Sequence, residues 1–145
     1  MNLNKNLIIL LLAGLFSGHL IFGQETKQIV QINNIEKVNG NLYIGWYNHS
    51  ATFRINDQAI YREKLFVSNK EEVNVIFTNI PKGVYAIAVF LDANDNYKLD
   101  RNFFRIPKEK YGFSNNILKP FRPATFEESV FHLTENEVII NIKLK

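Results

Sequence analysis

Residues 80–116 read IPKGVYAIAVFLDANDNYKLDRNFFRIPKEKYGFSNN, and the reading of this stretch decides the fold. Pro81-Lys82-Gly83 is a turn signal. From Val84 to Leu91 an extended chain carries apolar residues on both faces: Tyr85, Ile87, Val89 and Leu91 on one, Val84, Ala86, Ala88 and Phe90 on the other. A strand that is apolar on both sides has to be central in a sheet and covered twice. The alanines leave room for a closely packed cover over the second face. The irregular segment from Arg101 to Pro123 is the natural candidate, because it carries Phe103, Phe104, Ile106, Tyr111, Phe113 and Phe121. Long segments without regular structure are uncommon unless they are packed or functional.

Outward from this strand, alternation with period two dominates and helical periodicity is almost absent. Gln28–Ile32 reads as a first strand. Asn41–Asn48 places Leu42, Ile44 and Trp46 on one face and Tyr43, Gly45 and Tyr47 on the other. Arg62–Val67 is a shorter candidate. Glu71–Thr78 points Val73, Val75 and Phe77 one way, with Ile76 the exception, and Glu137–Leu144 points Val138, Ile140, Ile142 and Leu144 inward. This is the pattern of antiparallel strands with one wet face. Thr125-Phe126-Glu127-Glu128 fits a capping box and predicts about one turn of helix before Val130 resumes an extended course. Some seven strands point to an all-β fold, an antiparallel Greek-key β-sandwich, with a small barrel as the alternative.

The N-terminus speaks to compartment. Lys5 is the only charge before Glu25, Leu7–Leu15 is rich in Leu and Ile, and Gly23-Gln24 follow. These are the parts of a secretory signal peptide. The rival is an uncleaved anchor, but Leu7–Phe22 falls short of the ~20 apolar residues that span a bilayer. The expected division is a signal peptide over residues 1–23 and one β-sandwich domain over 24–145, secreted or periplasmic, with no membrane span after cleavage. The sequence holds no cysteine, so such a domain holds itself by packing or a bound ion and not by disulfides. The net charge of +3 is small, and Lys and Arg are scattered without a dense run. Nucleic acid is therefore not the expected partner.

Within Asp92-Ala93-Asn94-Asp95-Asn96-Tyr97-Lys98-Leu99-Asp100, side-chain oxygens occupy the first, third, fifth and ninth positions. Lys98 can offer its backbone carbonyl at the seventh. A tight loop turns alternate side chains inward, so Asp92, Asn94, Asn96, Lys98 and Asp100 form a candidate Ca2+ ligand set. Tyr97 stands where an EF-hand needs glycine, and Phe103 where it needs the bidentate glutamate. The competing reading is a hairpin turn rich in Asx hydrogen bonds, its carboxylates neutralised by Lys98, Arg101 and Arg105. Glu109 can add a carboxylate from the next segment, and Tyr111 and Phe113, flanking Gly112, are candidates for a ligand-binding platform. Aromatics in a β-domain are more often core.

The elements of catalysis are thin. His49 and His132 have no metal-ligand spacing, and Ser114 lacks the Gly-x-Ser-x-Gly context of a nucleophile elbow. No glycine-rich phosphate loop is present. The carboxylates Asp92, Asp100 and Glu109 suit cation ligation or a turn better than a glycosidase pair. No catalytic residue is assigned.

The same residues carry a likeness. The stretch YAIAVFLDANDNYKLDRNFFRIPKEKYGFSNN, with Pro123–Phe131 after it, resembles the secreted bacterial family called domain of unknown function 2141. That family's pattern has glycine where this chain has Tyr97 and Lys110. The resemblance implies a periplasmic or extracellular sandwich of the transthyretin or carboxypeptidase-regulatory type, and it implies no enzymatic activity. The expectation is thus a secreted non-catalytic binding or accessory module for a protein or glycan of the cell envelope, with Ca2+ as the candidate ion for its loop and the Asx-bonded turn as the favoured reading. A glycan-binding domain using Trp46, Tyr111 or Phe113 is the alternative, and a carboxylate-based hydrolase the third reading.

Overall fold

The structure, a computed structural model, describes residues 26–145. The expected signal peptide and its cleavage point lie outside the described residues. The described residues are all-β, with eight strands in two sheets dominated by antiparallel pairing. In order these are β1 (Lys27–Asn33), β2 (Gly40–Tyr47), β3 (Tyr61–Val67), β4 (Val73–Thr78), β5 (Gly83–Asp92), β6 (Tyr111–Phe113), β7 (Val130–Leu133) and β8 (Glu137–Lys143). One sheet has the order β4-β1-β8. The other runs β3-β2-β5-β6, with β7 also paired to β5. The β1–β8 pair is parallel, aligning Val30 with Ile140 and Ile32 with Ile142, a departure from the antiparallel expectation.

The two sheets enclose the main core. Leu42, Ile44 and Trp46 of β2 and Tyr85, Ile87, Val89 and Leu91 of β5 face Val30 and Ile32 of β1, Phe77 of β4, and Ile140 and Ile142 of β8. Trp46 is fully buried, with the rings of Phe77, Tyr85 and Phe131 5.5–5.7 Å from its own. Period-two alternation, which sends every second side chain inward, accounts for each of these positions.

Strand β5 is central, as its two-faced composition requires. It is bounded by β2 on one side and by β6 and β7 on the other, β6 opposite Ala88–Phe90 and β7 opposite Gly83–Ala86. The seam between β6 and β7 is closed by a serine. The Ile87 N–H donates to Ser114 Oγ at 3.1 Å, and Ser114 Oγ donates to the Ser129 carbonyl. Ser114 is therefore a buried strut in the sheet.

The second face of β5 is covered as expected, but only in part by the expected residues. Ala86 packs in a second cluster with Tyr47, Phe53, Tyr111, Phe113 and Ala124, and Ala88, Phe90 and Phe126 join it. Tyr111 and Phe113 share a face because they stand two apart on β6, a strand the sequence reading left irregular. Gly112 between them faces the other way. A Cβ there would lie 2.8 Å from Ile142 Cγ2 and 2.9 Å from the Lys143 carbonyl, so β8 approaches too closely for a side chain. By contrast, Phe103, Phe104 and Phe121 are 94%, 77% and 96% exposed. The expectation that they join the cover is corrected: the loops carrying them turn away from the sheet.

The capping box forms. The Glu128 N–H donates to Thr125 Oγ1 at 3.3 Å and the Thr125 N–H donates to Glu128 Oε2 at 3.0 Å, holding the single helical turn α1 (Phe126–Ser129). Arg122 adds two parallel bonds to the same carboxylate at 2.7 and 2.8 Å. The Arg122 bonds, with the Thr125 amide behind them, pull the Glu128 carboxyl down to about 2 from its ordinary 4.5. A depressed folded-state pKa gives stability that is full above the unfolded value and lost as pH falls through the folded one. The melting temperature of the protein should fall more steeply than that of Glu128→Gln between pH 4.5 and about 2. Parallel pH profiles of the two proteins would exclude this contribution.

Candidate functional site

The acidic loop after β5 is built around Asp92, the last residue of the strand and fully buried. Its Oδ1 accepts from the backbone N–H groups of Asn94 (3.3 Å) and Asn96 (3.2 Å), and its Oδ2 from that of Tyr97 (2.8 Å). Asp100 closes the other side. Its two oxygens accept from the side-chain amides of Asn94 at 2.7 Å and Asn96 at 2.9 Å. These bonds, Asn96 first, lower the Asp100 pKa. Glu109 reaches across from the following segment, accepting from Ala93 N–H and Asp100 N–H, each at 2.9 Å. Asp95 accepts from Asn41 Nδ2 at 2.8 Å and pairs with Lys64 at 3.6 Å.

Each of these carboxylates thus has protein donors, the Asx-bonded arrangement. Asp95 and Tyr97 take the left-handed conformation with φ of 58° and 65°. The Tyr97 backbone makes the tight turn that glycine makes elsewhere, and its ring offsets the strain. It lies edge-on to Tyr43 at 6.1 Å, with the Lys64 ammonium 4.8 Å from its centre. Lys98 donates its N–H to Asn96 Oδ1 at 2.9 Å. Among the described residues no three of His, Cys, Asp and Glu converge on a point suited to a metal. A Ca2+ ligand set in this loop therefore has to draw on the Asn94 and Asn96 amides and the Lys98 carbonyl.

Beside the loop, the second face of the sheet opens into a cleft of two adjoining cavities of about 310 and 340 Å³. Arg101, Pro107, Tyr111 and Pro123 line both. The floor of the first is apolar and aromatic, made of Tyr47, Ala88, Phe90, Tyr111 and Phe113, with Arg54, Lys98 and Arg101 at its rim and no carboxylate. The second has Arg101, Arg105, Lys108, Lys110, Lys119, Arg122 and Lys145 around it. Glu109 is the lone acid there, and the Ala93 and Asp100 amides hold both its oxygens. Lys110 pairs with Glu36 at 3.0 Å, and Lys119 and Arg122 with Glu128 at 3.7 and 2.7 Å. Arg101, Arg105 and Lys108 make no ion pair with described residues.

Like charges and an apolar floor mark the first cavity electrostatically. Burial, then the charge of Arg101, lowers the Arg54 pKa, an effect that a bound anion reverses. Burial, with Asp57 second, pushes the Tyr47 hydroxyl up to about 12, so it is a neutral donor at neutral pH.

Of the residues singled out from sequence, Glu109, Tyr111 and Phe113 meet at this cleft. Tyr111 and Phe113 are buried in its floor, however, and Trp46 lies in the main core, so the three do not form an exposed stacking platform. Arg54 was not legible as a site residue. It comes from the β2–β3 connection, and only folding brings it to Arg101. His49 and His132 are exposed and lie on separate elements. Among the described residues no helix is long and apolar enough to cross a membrane.

A family model described as Uncharacterized protein conserved in bacteria (DUF2141) matches residues 30–141, and the chain belongs to that family. No curated protein and no solved structure matches the chain significantly.

Proposed function

We propose that this member of the DUF2141 family is an exported, non-catalytic binding module. Its ligand carries negative charge on an apolar or ring-containing body and is held in the cleft over the second face of the sheet. The carrying observation is the composition of the first cavity: an aromatic floor under Arg54, Lys98 and Arg101, with no carboxylate in its lining. Concave, largely apolar sites with a few convergent polar groups are where small ligands bind, and guanidinium groups are the preferred partners of carboxylate, phosphate and sulfonate oxygens. The expectation of a glycan platform loses ground, because its three rings are buried. A hydrolase is disfavoured because Asp92, Asp100 and Glu109 are each held by donors that a working acid or base would have to release.

The acidic loop acts in this reading as the rigid wall that sets Lys98 and Arg101 on the rim. Its internal hydrogen bonds favour a loop that orders itself, while calcium ordering stays the competing proposal. Both are separated by the Asp92 experiment below.

The cleft is tested with two fluorescent probes of one ring system. 1-Anilinonaphthalene-8-sulfonate carries a charge that N-phenyl-1-naphthylamine lacks. The sulfonate should bind at least about tenfold more tightly, and Arg101→Gln should remove most of that difference while leaving the neutral probe unaffected. Equal affinity for the two probes, or indifference of the sulfonate to Arg101→Gln, would sink the anion reading.

A further inference from the structure

The largest exposed apolar groups stand on two prongs beside the basic cavity. The first is a tight hairpin, Arg101–Pro107, closed by a bridge between its ends. Asn102 braces it from inside. Its Oδ1 accepts from the N–H groups of Phe104 and Ile106, each at 3.0 Å, while its own N–H donates to the Ile106 carbonyl at 2.9 Å and its carbonyl accepts from Arg105 N–H at 2.9 Å. This bracing holds the rings of Phe103 and Phe104 edge-on to each other, 5.5 Å apart, and almost wholly in solvent. The second prong is Pro120-Phe121-Arg122-Pro123. Prolines restrict it, and Arg122 ties it to Glu128. Phe121 is 96% exposed and lines the basic cavity together with Ile106, itself half exposed.

These three phenylalanines are more exposed than any other large apolar side chain of the described residues, and exposed apolar patches mark protein or membrane interaction sites. What surrounds them narrows the partner. Of the seven Lys and Arg side chains around the cavity between the prongs, three pair with Glu36 and Glu128, and Arg101, Arg105, Lys108 and Lys145 remain without an ion pair to described residues, so the apolar tips stand within a cationic field. Apolar side chains projecting from a basic surface fit an anionic bilayer. Rings enter the headgroup–acyl boundary while ammonium and guanidinium groups meet the phosphates. The bracing adds to this, because rings already fixed in place lose little freedom on insertion.

We propose that the Phe103–Phe104 hairpin and the Phe121 loop form a membrane-surface anchor that docks this end of the domain on anionic lipid, without spanning the bilayer. The proposal rests on the basic character of the second cavity and not on a ligand in the first. Phe103 and Phe104 line neither cavity, so their removal tests the anchor apart from the cleft.

The test is sedimentation of the residue 24–145 chain with vesicles of phosphatidylcholine alone or with an equal part of phosphatidylglycerol. Binding is expected only with phosphatidylglycerol and should fall steeply at about 0.5 M salt. Phe103→Ser with Phe104→Ser should weaken it about tenfold or more, while keeping both the melting temperature and the binding of the sulfonate probe. Arg105→Gln should cost about fivefold. Trp46 is fully buried, so the emission of a Phe103→Trp variant reports the ring at the tip, and it should shift to the blue on anionic vesicles. Absence of vesicle binding at low salt overturns the anchor, as does binding that the Phe pair does not influence or a Trp at 103 that stays in water. Concentration-dependent self-association abolished by the same Phe pair, without vesicle binding, also overturns it, assigning the prongs to a second copy of the chain. Loss of sulfonate binding with intact vesicle binding would instead strike the cleft alone.

Discussion

Asp92→Asn is expected to lower the melting temperature by about 10 °C, although the replacement is isosteric. The carboxylate is fully buried and accepts three backbone N–H bonds on its two oxygens. An amide retains one acceptor and turns an NH2 group toward at least one of those donors. Hydrogen bonds to a charged group contribute about 1.5–3 kcal/mol each, and a buried donor left without an acceptor costs a further 1–3 kcal/mol. A loss of about 2–4 kcal/mol in a domain of this size corresponds to about that fall in melting temperature. Measuring both proteins with calcium and with a chelator separates the two readings of the loop. If the loop orders itself, the gap between the proteins is the same in both conditions. A calcium-dependent rise of several degrees in the parent, absent from Asp92→Asn, would make Asp92 a ligand and restore the cation site over Asp92, Asn94, Asn96, Lys98 and Asp100.

Trp46→Ala should cost about 3–5 kcal/mol, enough to leave the chain largely unfolded near body temperature if its stability is of ordinary size. The indole fills the space between the sheets and is in contact with three other rings, so its removal opens a cavity that neither sheet can collapse into. Trp46→Phe should cost well under half as much. The indole Nε1–H meets no acceptor among the described residues, and its loss orphans no partner. Denaturant titration of the three proteins checks the order. A Trp46→Ala variant as stable as its parent would contradict the placement of the core between the sheets.

The parts of this structure that were legible from sequence are those written by local backbone geometry. Alternation at Leu42, Ile44 and Trp46, at Val73, Val75 and Phe77, and along both faces of Tyr85–Leu91 carries over because the pleat of a strand fixes which side chain faces which layer. The capping box at Thr125 and Glu128 is equally local, four residues closing on themselves. At Gly112, by contrast, the neighbour that leaves no room for a side chain, the end of β8, came only with the fold. Tyr97 argued against a tight turn, yet the chain takes the left-handed conformation there, because Tyr43 and Lys64 of neighbouring strands supply contacts that a turn propensity does not include.

The site was less legible, for a physical reason that its residues share. Phe103, Phe104 and Phe121 have the same hydrophobicity as Phe113, and outside regular structure no period tells a buried ring from a bare one. Likewise, Lys and Arg that look scattered along the chain carry no sign of convergence, since Arg54, Arg101, Lys119 and Lys145 belong to four separate segments.

The sequence alone determined an all-β chain, a doubly covered central strand and an acidic-amide loop at that strand's end, because each follows from which neighbours along the backbone are apolar, branched or oxygen-bearing. The tertiary structure decided the parallel partner of the first strand, the cation-rimmed cleft and the bare aromatic prongs beside it. These depend on contacts between residues far apart in the chain, and the order in which strands pair, not the pattern within any one strand, sets which distant charges and rings meet.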